Sequence, residues 1–484
     1  MTTRWRAPGS AVAAAVSTVL IVLSVRDPQV TNIAGFPVVV ELWAAFALGA
    51  WLVLRTGLRL AVPLILLGAI AMQIAALSAP PQNSTDLYRY IWDGRVQAAG
   101  IDPYRYVPAA PQLTRLRDPF LWPAHGQDCI TLTTPPAPGT SRASVVPGCT
   151  LINRANVPTI YPPVAEAYFT VVYELDPPGS GSPLPIQAAG ALCAIATTVL
   201  LLAGLRRLGR DPRLAVLWAW CPVVGIQAGN DAHVDVLAAF LTAAALLTLA
   251  TDSGRRGVIR GAVLLSLAIA TKVTPALVVP AVLRRRPVTL AVAGAAAAVA
   301  VYLPHLIAVG SGVIGFLPGY LDQEGYTNGS RFPLLSAVVP GNWVTLAAIA
   351  VLAVVAVAVL RSADPDRPWR GAVVMTGVAM VVTPPAYPWY FMLLAVLVAL
   401  DGRAEWLALA AAGYLASQHP LPHVTLSQPG RVCYGIALAV IVVTALVRRR
   451  QSRGRPTHHG HEPASAADGV QVAVVGGDEQ VARA

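Results

Sequence analysis

The sequence predicts an all-α polytopic membrane protein: a bundle of about 12–14 transmembrane helices whose large extracytoplasmic first loop carries amphipathic helices. Three observations carry this. Only 12% of the 484 residues are charged while 55% are hydrophobic, a balance that a soluble chain of this length rarely shows. Apolar runs of roughly 15–23 residues recur along nearly the whole chain, unlike the alternating ten-residue segments of an outer-membrane barrel. Arginine clusters mark every second loop, the pattern that sets orientation in the bilayer.

Taken in order, Arg4 and Arg6 precede the first apolar run, 10–25. No small-residue cleavage site follows it, so it is expected to remain as a first helix with a cytoplasmic N-terminus. Further runs lie at 35–54, 59–79, 186–205, 213–228, 233–250, 257–271, 274–283, 288–309, 340–360, 371–384, 388–400, 404–417 and 431–447. Two of them, 274–283 and 388–400, fall short of the roughly 20 residues that span a bilayer, so broken or re-entrant helices are expected there. The basic clusters, among them Arg206, Arg207 and Arg210, then Arg284, Arg285 and Arg286, then Arg448, Arg449 and Arg450, alternate regularly to the end. An even number of spans places both termini in the cytoplasm. Residues 1–450 therefore read as one membrane domain with the loop 80–185 outside, and 451–484 as a disordered cytoplasmic tail. The tail histidines His458, His459 and His461 read as solvated residues in preference to metal ligands. The formal charge of +11 reflects these topology signals and excludes a nucleic-acid role.

The other face is different in kind. Nearly every carboxylate, histidine and aromatic cluster with chemical potential falls in the extracytoplasmic loops. The densest stretch runs from Asp86 through Arg95 to Ile101-Asp102-Pro103-Tyr104. Ser84 or Thr85 is positioned to cap a helix starting at Asp86, and 163–173 is a second amphipathic candidate; both are expected to lie along the membrane surface. Asp86 and Asp93 are seven apart and so share one side of that helix. Each reads as a general base for a hydroxyl nucleophile. The alternatives are that Asp86 is a helix N-terminal charge and that Asp93 is an ion partner of Arg89 or Arg95. Tyr88, Trp92 and their aromatic neighbours suit either an interfacial belt or a carbohydrate site, with Arg95 as a further hydroxyl ligand.

Lys272 is the only lysine in the chain and sits at a helix break before Pro275. An ammonium there needs water, a carboxylate or a phosphate beside it, unless it snorkels to the interface. A phosphate ligand is the preferred reading, with Arg331 and Arg89 as further candidates, since a guanidinium grips phosphate oxygens in a fork. Arg331 also has Asp322 and Glu324 near it in sequence. His233 and Asp235 open a helix behind Gly229-Asn230-Asp231 and are read as contacts to substrate hydroxyls, too short a signal for a metal site. Tyr387 and Trp389 complete the outer face. Cys193, Cys221 and Cys433 lie in apolar runs, whereas Cys129 and Cys149 share the long loop and would form a disulfide in an oxidising compartment. No Walker loop and no dinucleotide fingerprint occurs.

These residues resemble a multispanning GT-C glycosyltransferase, and most of all family 87, the polyprenol-phosphate-mannose-dependent mannosyltransferases of actinobacteria. The resemblance rests on Asp86-Leu87-Tyr88-Arg89-Tyr90 through Gly94-Arg95, Gly100-Ile101-Asp102-Pro103-Tyr104, Gly229-Asn230-Asp231 with His233, Lys272 with Pro275, and Tyr387-Pro388-Trp389-Tyr390. It implies Asp86 as the base and a sugar on a lipid phosphate as donor. Transfer would be inverting and would extend a cell-envelope glycolipid or lipoglycan on the extracytoplasmic face. No nucleotide or other cofactor is called for; a divalent cation is left open. Two features depart from the family pattern or bear on the source. The loop between about 110 and 160 is longer than the minimal pattern, and the scarcity of lysine matches a high-GC genome. A transporter or flippase of lipid-linked sugars is the first alternative, but it predicts paired internal repeats that the sequence does not display. A non-enzymatic envelope-assembly protein would leave the one-sided cluster of Asp, Lys, His and aromatic residues unexplained.

Overall fold

The structure is a computed structural model and describes residues 5–26, 36–123, 130–131, 149–176, 181–417 and 427–453. Residues 1–441 form one compact unit and 442–484 another. Three helices of membrane-crossing length lead: α1 (Arg6–Arg26), α2 (Phe36–Leu54) and α3 (Leu58–Ala76). The long loop 80–185 then supplies α4 (Asp86–Ala98) and α5 (Pro163–Glu174) as expected. Between them lies the one strand pair among the described residues, β1 (Ile130–Thr131) antiparallel to β2 (Cys149–Thr150). Cys149 is disulfide-bonded; Cys129, its expected partner, lies outside the described residues.

The long α6 (Leu184–Arg207) follows, and after it the chain departs from the expected continuous span 213–228. That stretch is a 3-10 turn, then α7 (Val216–Ala219), α8 (Pro222–Val224) and a π turn over Gly225–Asn230. Pro222 has no N–H to continue a helix, and Gly225 and Gly229 press against Ile21 and Gln73, where a Cβ would sit 2.8 and 2.6 Å from the nearest atoms. Irregular backbone survives at this depth because protein surrounds it and supplies its hydrogen bonds. Gln73 Nε2 donates to the Val224 carbonyl (3.0 Å), Gln187 Nε2 to that of Asn230 (2.7 Å), and Asn230 Nδ2 to that of Ala76 (3.0 Å).

Next come α9 (Asp235–Thr251) and α10 (Arg255–Ile269). The short run 274–283 is broken as expected, into a 3-10 turn over Thr274–Val278 and α11 (Val279–Val282), with Pro275 and Pro280 interrupting the hydrogen-bond ladder. The rest is α12 (Pro287–Val309), α13 (Leu317–Gln323), α14 (Val344–Ser362), α15 (Trp369–Val382), α16 (Phe391–Asp401), α17 (Ala408–Ser417) and α18 (Ser427–Arg453). Among the described residues seven helical stretches are long and apolar enough to cross a membrane, and α9, α15 and α16 are shorter apolar helices. The chain is therefore an all-α multi-pass membrane protein. Helix α18 runs to Arg453, beyond the expected start of the tail; residues 454–484, with their histidines, lie outside the described residues.

The centre of the bundle is α16, buried at every residue from Phe391 to Leu400 and packed against α7, α9 and α15. A helix apolar all round belongs in such a position. Above it, α4 and α5 lie against each other at Gly94, whose missing Cβ would stand 2.5 Å from the Phe169 carbonyl oxygen. Gly94→Val is therefore expected to force the two helices apart and to destabilise the protein by about 1–3 kcal/mol or more. A thermal unfolding curve of the purified variant reads this directly, and an unchanged Tm would show that the contact gives way freely.

Candidate active site

A cavity of about 950 Å³ opens where the loop 80–185 meets the bundle. Part of its lining is polar and aromatic: Asp86, Asn153, Arg154, Tyr161, Lys272, Tyr320, Arg331, Tyr387, Trp389 and Tyr390. Part is apolar, with Leu277 and Pro280 at the chain break into α11, Leu352 on α14, and Met375, Ala379 and Met380 on α15. Because these last residues belong to helices of the bundle, the cavity joins a charged pocket to an apolar wall.

Asp86 reaches the cavity from the first turn of α4. Ser84 Oγ accepts the Asp86 backbone N–H (3.2 Å), while Thr85, the N-cap residue, makes no side-chain cap. The Asp86 carboxylate is held from two sides: Asn153 Nδ2 donates to Oδ1 (2.5 Å) and the Tyr161 hydroxyl to Oδ2 (3.4 Å). Burial, and then the Asp86 charge, pushes the Tyr161 phenol well above its ordinary value, so it keeps its proton and acts as a donor. The side chain of Asp86 remains 16% exposed, open to the cavity. Beneath it His233 Nδ1 lies 3.8 Å from Oδ2 and 3.4 Å from the Tyr90 hydroxyl. The His233 ring stacks on Trp389 at 3.8 Å, and Trp389 on Tyr387 at 4.6 Å. Asp231 accepts the backbone N–H groups of Gln82 and Asn83 (3.2 and 3.0 Å) and the Asn83 amide (3.0 Å), which fixes the approach to α4. Burial pushes its carboxyl up to about 6 against those hydrogen bonds.

The cations enter from three separate segments. Lys272 Nζ pairs with Asp235 Oδ2 at 3.1 Å and lies over the rings of Tyr390 (5.1 Å) and Tyr161 (5.5 Å). Arg331 pairs with Glu324 at 3.1 Å, and the Tyr387 hydroxyl also donates to Glu324 (3.2 Å). Arg154 lies over the Tyr320 ring at 5.5 Å, and the Tyr320 and Tyr390 hydroxyls meet at 2.7 Å. Lys272 therefore has both a carboxylate and the cavity beside it, which removes the snorkelling reading.

Of the residues singled out in the sequence, Asp86, Lys272, Arg331, Tyr387 and Trp389 come together at the cavity, with His233 and Asp235 directly behind them. The structure does not bring Asp93, Arg89, Tyr88, Trp92 or Arg95 there. Asp93 shares the face of Asp86, but seven residues carry it about 10 Å along the helix axis, under α5. It is 2% exposed, with Arg89 Nε 2.9 Å from both its oxygens. Arg89 spends a further N–H on the Val157 carbonyl (3.2 Å). Trp92 packs on Trp122 at 5.5 Å, Tyr88 on Phe120 at 5.9 Å, and Arg95 pairs with Asp118. These residues bind α4 to the rest of the outer loop. Asn153, Arg154, Tyr161 and Tyr320 were not singled out as site residues by the sequence. Tyr161 carried one usable signal, since it precedes Pro162 and a helix just as Tyr387 precedes Pro388.

Residues 160–385 match the model of Glycosyltransferase family 87, a segment that includes Tyr161, His233, Asp235, Lys272 and Arg331 and that ends before Tyr387. No curated protein and no solved structure matches the chain significantly. The match over residues 160–385 and the helices of membrane-crossing length together support a membrane glycosyltransferase that resembles family 87 over that segment.

Proposed function

We propose that the chain transfers a sugar, mannose first among candidates, from a polyprenyl phosphate to a hydroxyl of a cell-envelope glycolipid or lipoglycan. The observation that carries this reading is the mixed lining of the cavity: a held carboxylate and three cations together with apolar side chains of α14 and α15. Such a lining suits a donor whose sugar phosphate is polar and whose chain belongs in the bilayer. Asp86 takes the acceptor hydroxyl proton as the acceptor oxygen bonds to the anomeric carbon. The bond between that carbon and the phosphate oxygen breaks, and polyprenyl phosphate leaves with the electron pair. Attack and departure on opposite faces invert the anomeric centre. Lys272 and Arg331, both candidate phosphate ligands, would stabilise the leaving charge without reorganising. Tyr387 and Trp389 would stack against sugar C–H faces, with His233 and Asp235 setting the shape behind them. No resident cofactor enters this scheme.

The arginine-rich loops support cytoplasmic termini and an extracytoplasmic site. The test is transfer of labelled sugar from polyprenyl-phosphate mannose, and from other polyprenyl-phosphate hexoses, into a membrane lipid extract by the purified full chain. A labelled lipid made from the mannose donor supports the reading, and its analysis identifies acceptor and anomer. Turnover with another hexose alone would change the sugar. No turnover with any of them, by folded protein, would overturn the reading in favour of a transporter.

A further inference from the structure

Three cations face the cavity, but they are not equivalent. Lys272 and Arg331 are each neutralised by a carboxylate, Asp235 and Glu324, at 3.1 Å. Among the described residues no carboxylate lies within ion-pair distance of Arg154. Its guanidinium lies over the face of Tyr320 instead, at 5.5 Å. An aromatic face attracts the cation without pairing its charge; the Tyr387 hydroxyl and the Asp86 charge also act on the guanidinium, but neither forms an ion pair with it. A guanidinium outside an ion pair, with five N–H donors, still presents a fork that matches two phosphate oxygens.

The backbone is built for this placement. Arg154 has φ 50°, a left-handed conformation that residues other than glycine adopt rarely. That turn is fastened from below, since the Arg154 carbonyl accepts Val157 N–H at 3.1 Å and Arg89 Nη1 approaches it at 3.5 Å. It also sets the preceding residue, Asn153, on Asp86 Oδ1 at 2.5 Å. One strained turn therefore presents a cation outside any ion pair and the ligand of the base side by side.

We propose that Arg154 is the principal grip on the phosphate of the lipid-linked donor, with Lys272 and Arg331 as weaker, already neutralised contacts. This rests on the reading of the substrate as a lipid phosphate sugar and adds the residue that distinguishes it. Removing the side chain at position 154 is then expected to weaken phosphate binding more than removing it at position 331.

The test uses the full chain in nanodiscs and two variants, Arg154→Gly and Arg154→Lys. Glycine suits the positive φ and so deletes the guanidinium without straining the turn; lysine keeps the charge and loses the fork. Two quantities are read: binding of polyprenyl phosphate alone, and the KM for the sugar donor. Arg154→Gly is expected to weaken both by about 10- to 100-fold, the loss of a charge-assisted contact, with Arg154→Lys intermediate and Arg331→Ala smaller. Unchanged polyprenyl phosphate binding in folded Arg154→Gly would overturn the proposal even where wild-type transfer proceeds, leaving the proposed function standing. Binding that depends on Arg154 in a protein that transfers no sugar would support the proposal and overturn the function. Wild-type protein that binds no polyprenyl phosphate would overturn both.

Discussion

Asp86→Asn is expected to lower the rate of sugar transfer by about two to four orders of magnitude, the range that a positioned general base contributes, while donor binding stays close to wild type. Asparagine has the shape of aspartate and still accepts hydrogen bonds at one oxygen. Asn153 therefore retains its partner on Oδ1, and α4 retains its first turn. What disappears is the capacity to take a proton from the acceptor hydroxyl. Among the described residues Asp86 is the one carboxylate that lines the cavity, and the carboxylates behind it are engaged, Asp235 with Lys272 and Glu324 with Arg331. The separation between kcat and donor affinity is the informative readout. A variant that loses both together would have lost the fold of the loop, which circular dichroism and thermal unfolding detect.

Lys272→Met is expected to have the next largest effect, and on stability as well as function. The Asp235 side chain is 5% exposed and has Lys272 Nζ at 3.1 Å. Removing the ammonium leaves a buried carboxylate uncompensated, a change that typically costs about 3–5 kcal/mol. Adding Asp235→Asn removes the orphaned charge, so the double variant is expected to recover most of the lost Tm. It is not expected to recover full donor affinity, since the cation over Tyr161 and Tyr390 is still missing. Recovery of both would make the pair a purely structural one; recovery of neither would place the defect elsewhere in the bundle.

Much of the fold was legible because bilayer depth imposes a length on every crossing helix and because arginines mark the turns on one side. The runs at 10–25, 35–54, 186–205 and 340–360 each correspond to a single long helix. The run at 213–228 does not, because its hydropathy records burial and not conformation: Pro222, Gly225 and Gly229 break it, and neighbouring helices bury what remains. At the site, residues with an intrinsic anomaly were found. Lys272 is the only lysine, Asp86 opens an amphipathic helix, and Tyr387 and Trp389 flank a proline.

Residues whose role arises from contact across the chain left no such mark. Arg154 is one arginine among many, and nothing local shows that among the described cavity cations it stands outside an ion pair. Glu166 was likewise silent. It is fully buried, accepts the Thr159 hydroxyl at 2.6 Å and Gln97 Nε2 at 3.0 Å, and burial together with the nearby Asp93 pushes its carboxyl well up. It ties α5 to α4 and so supports the helix that presents Asp86. Periodicity placed Asp86 and Asp93 on one face correctly, but it gives direction and not depth, and depth separates the cavity from the packed core.

The most direct single measurement is single-turnover transfer of labelled mannose from saturating polyprenyl-phosphate mannose into membrane lipid, comparing wild type with Asp86→Asn at neutral pH. The expected result is a labelled lipid from wild type and almost none from the variant, with equal donor bound in the two proteins. Equal product from both would remove Asp86 as the base and contradict the mechanism at its centre.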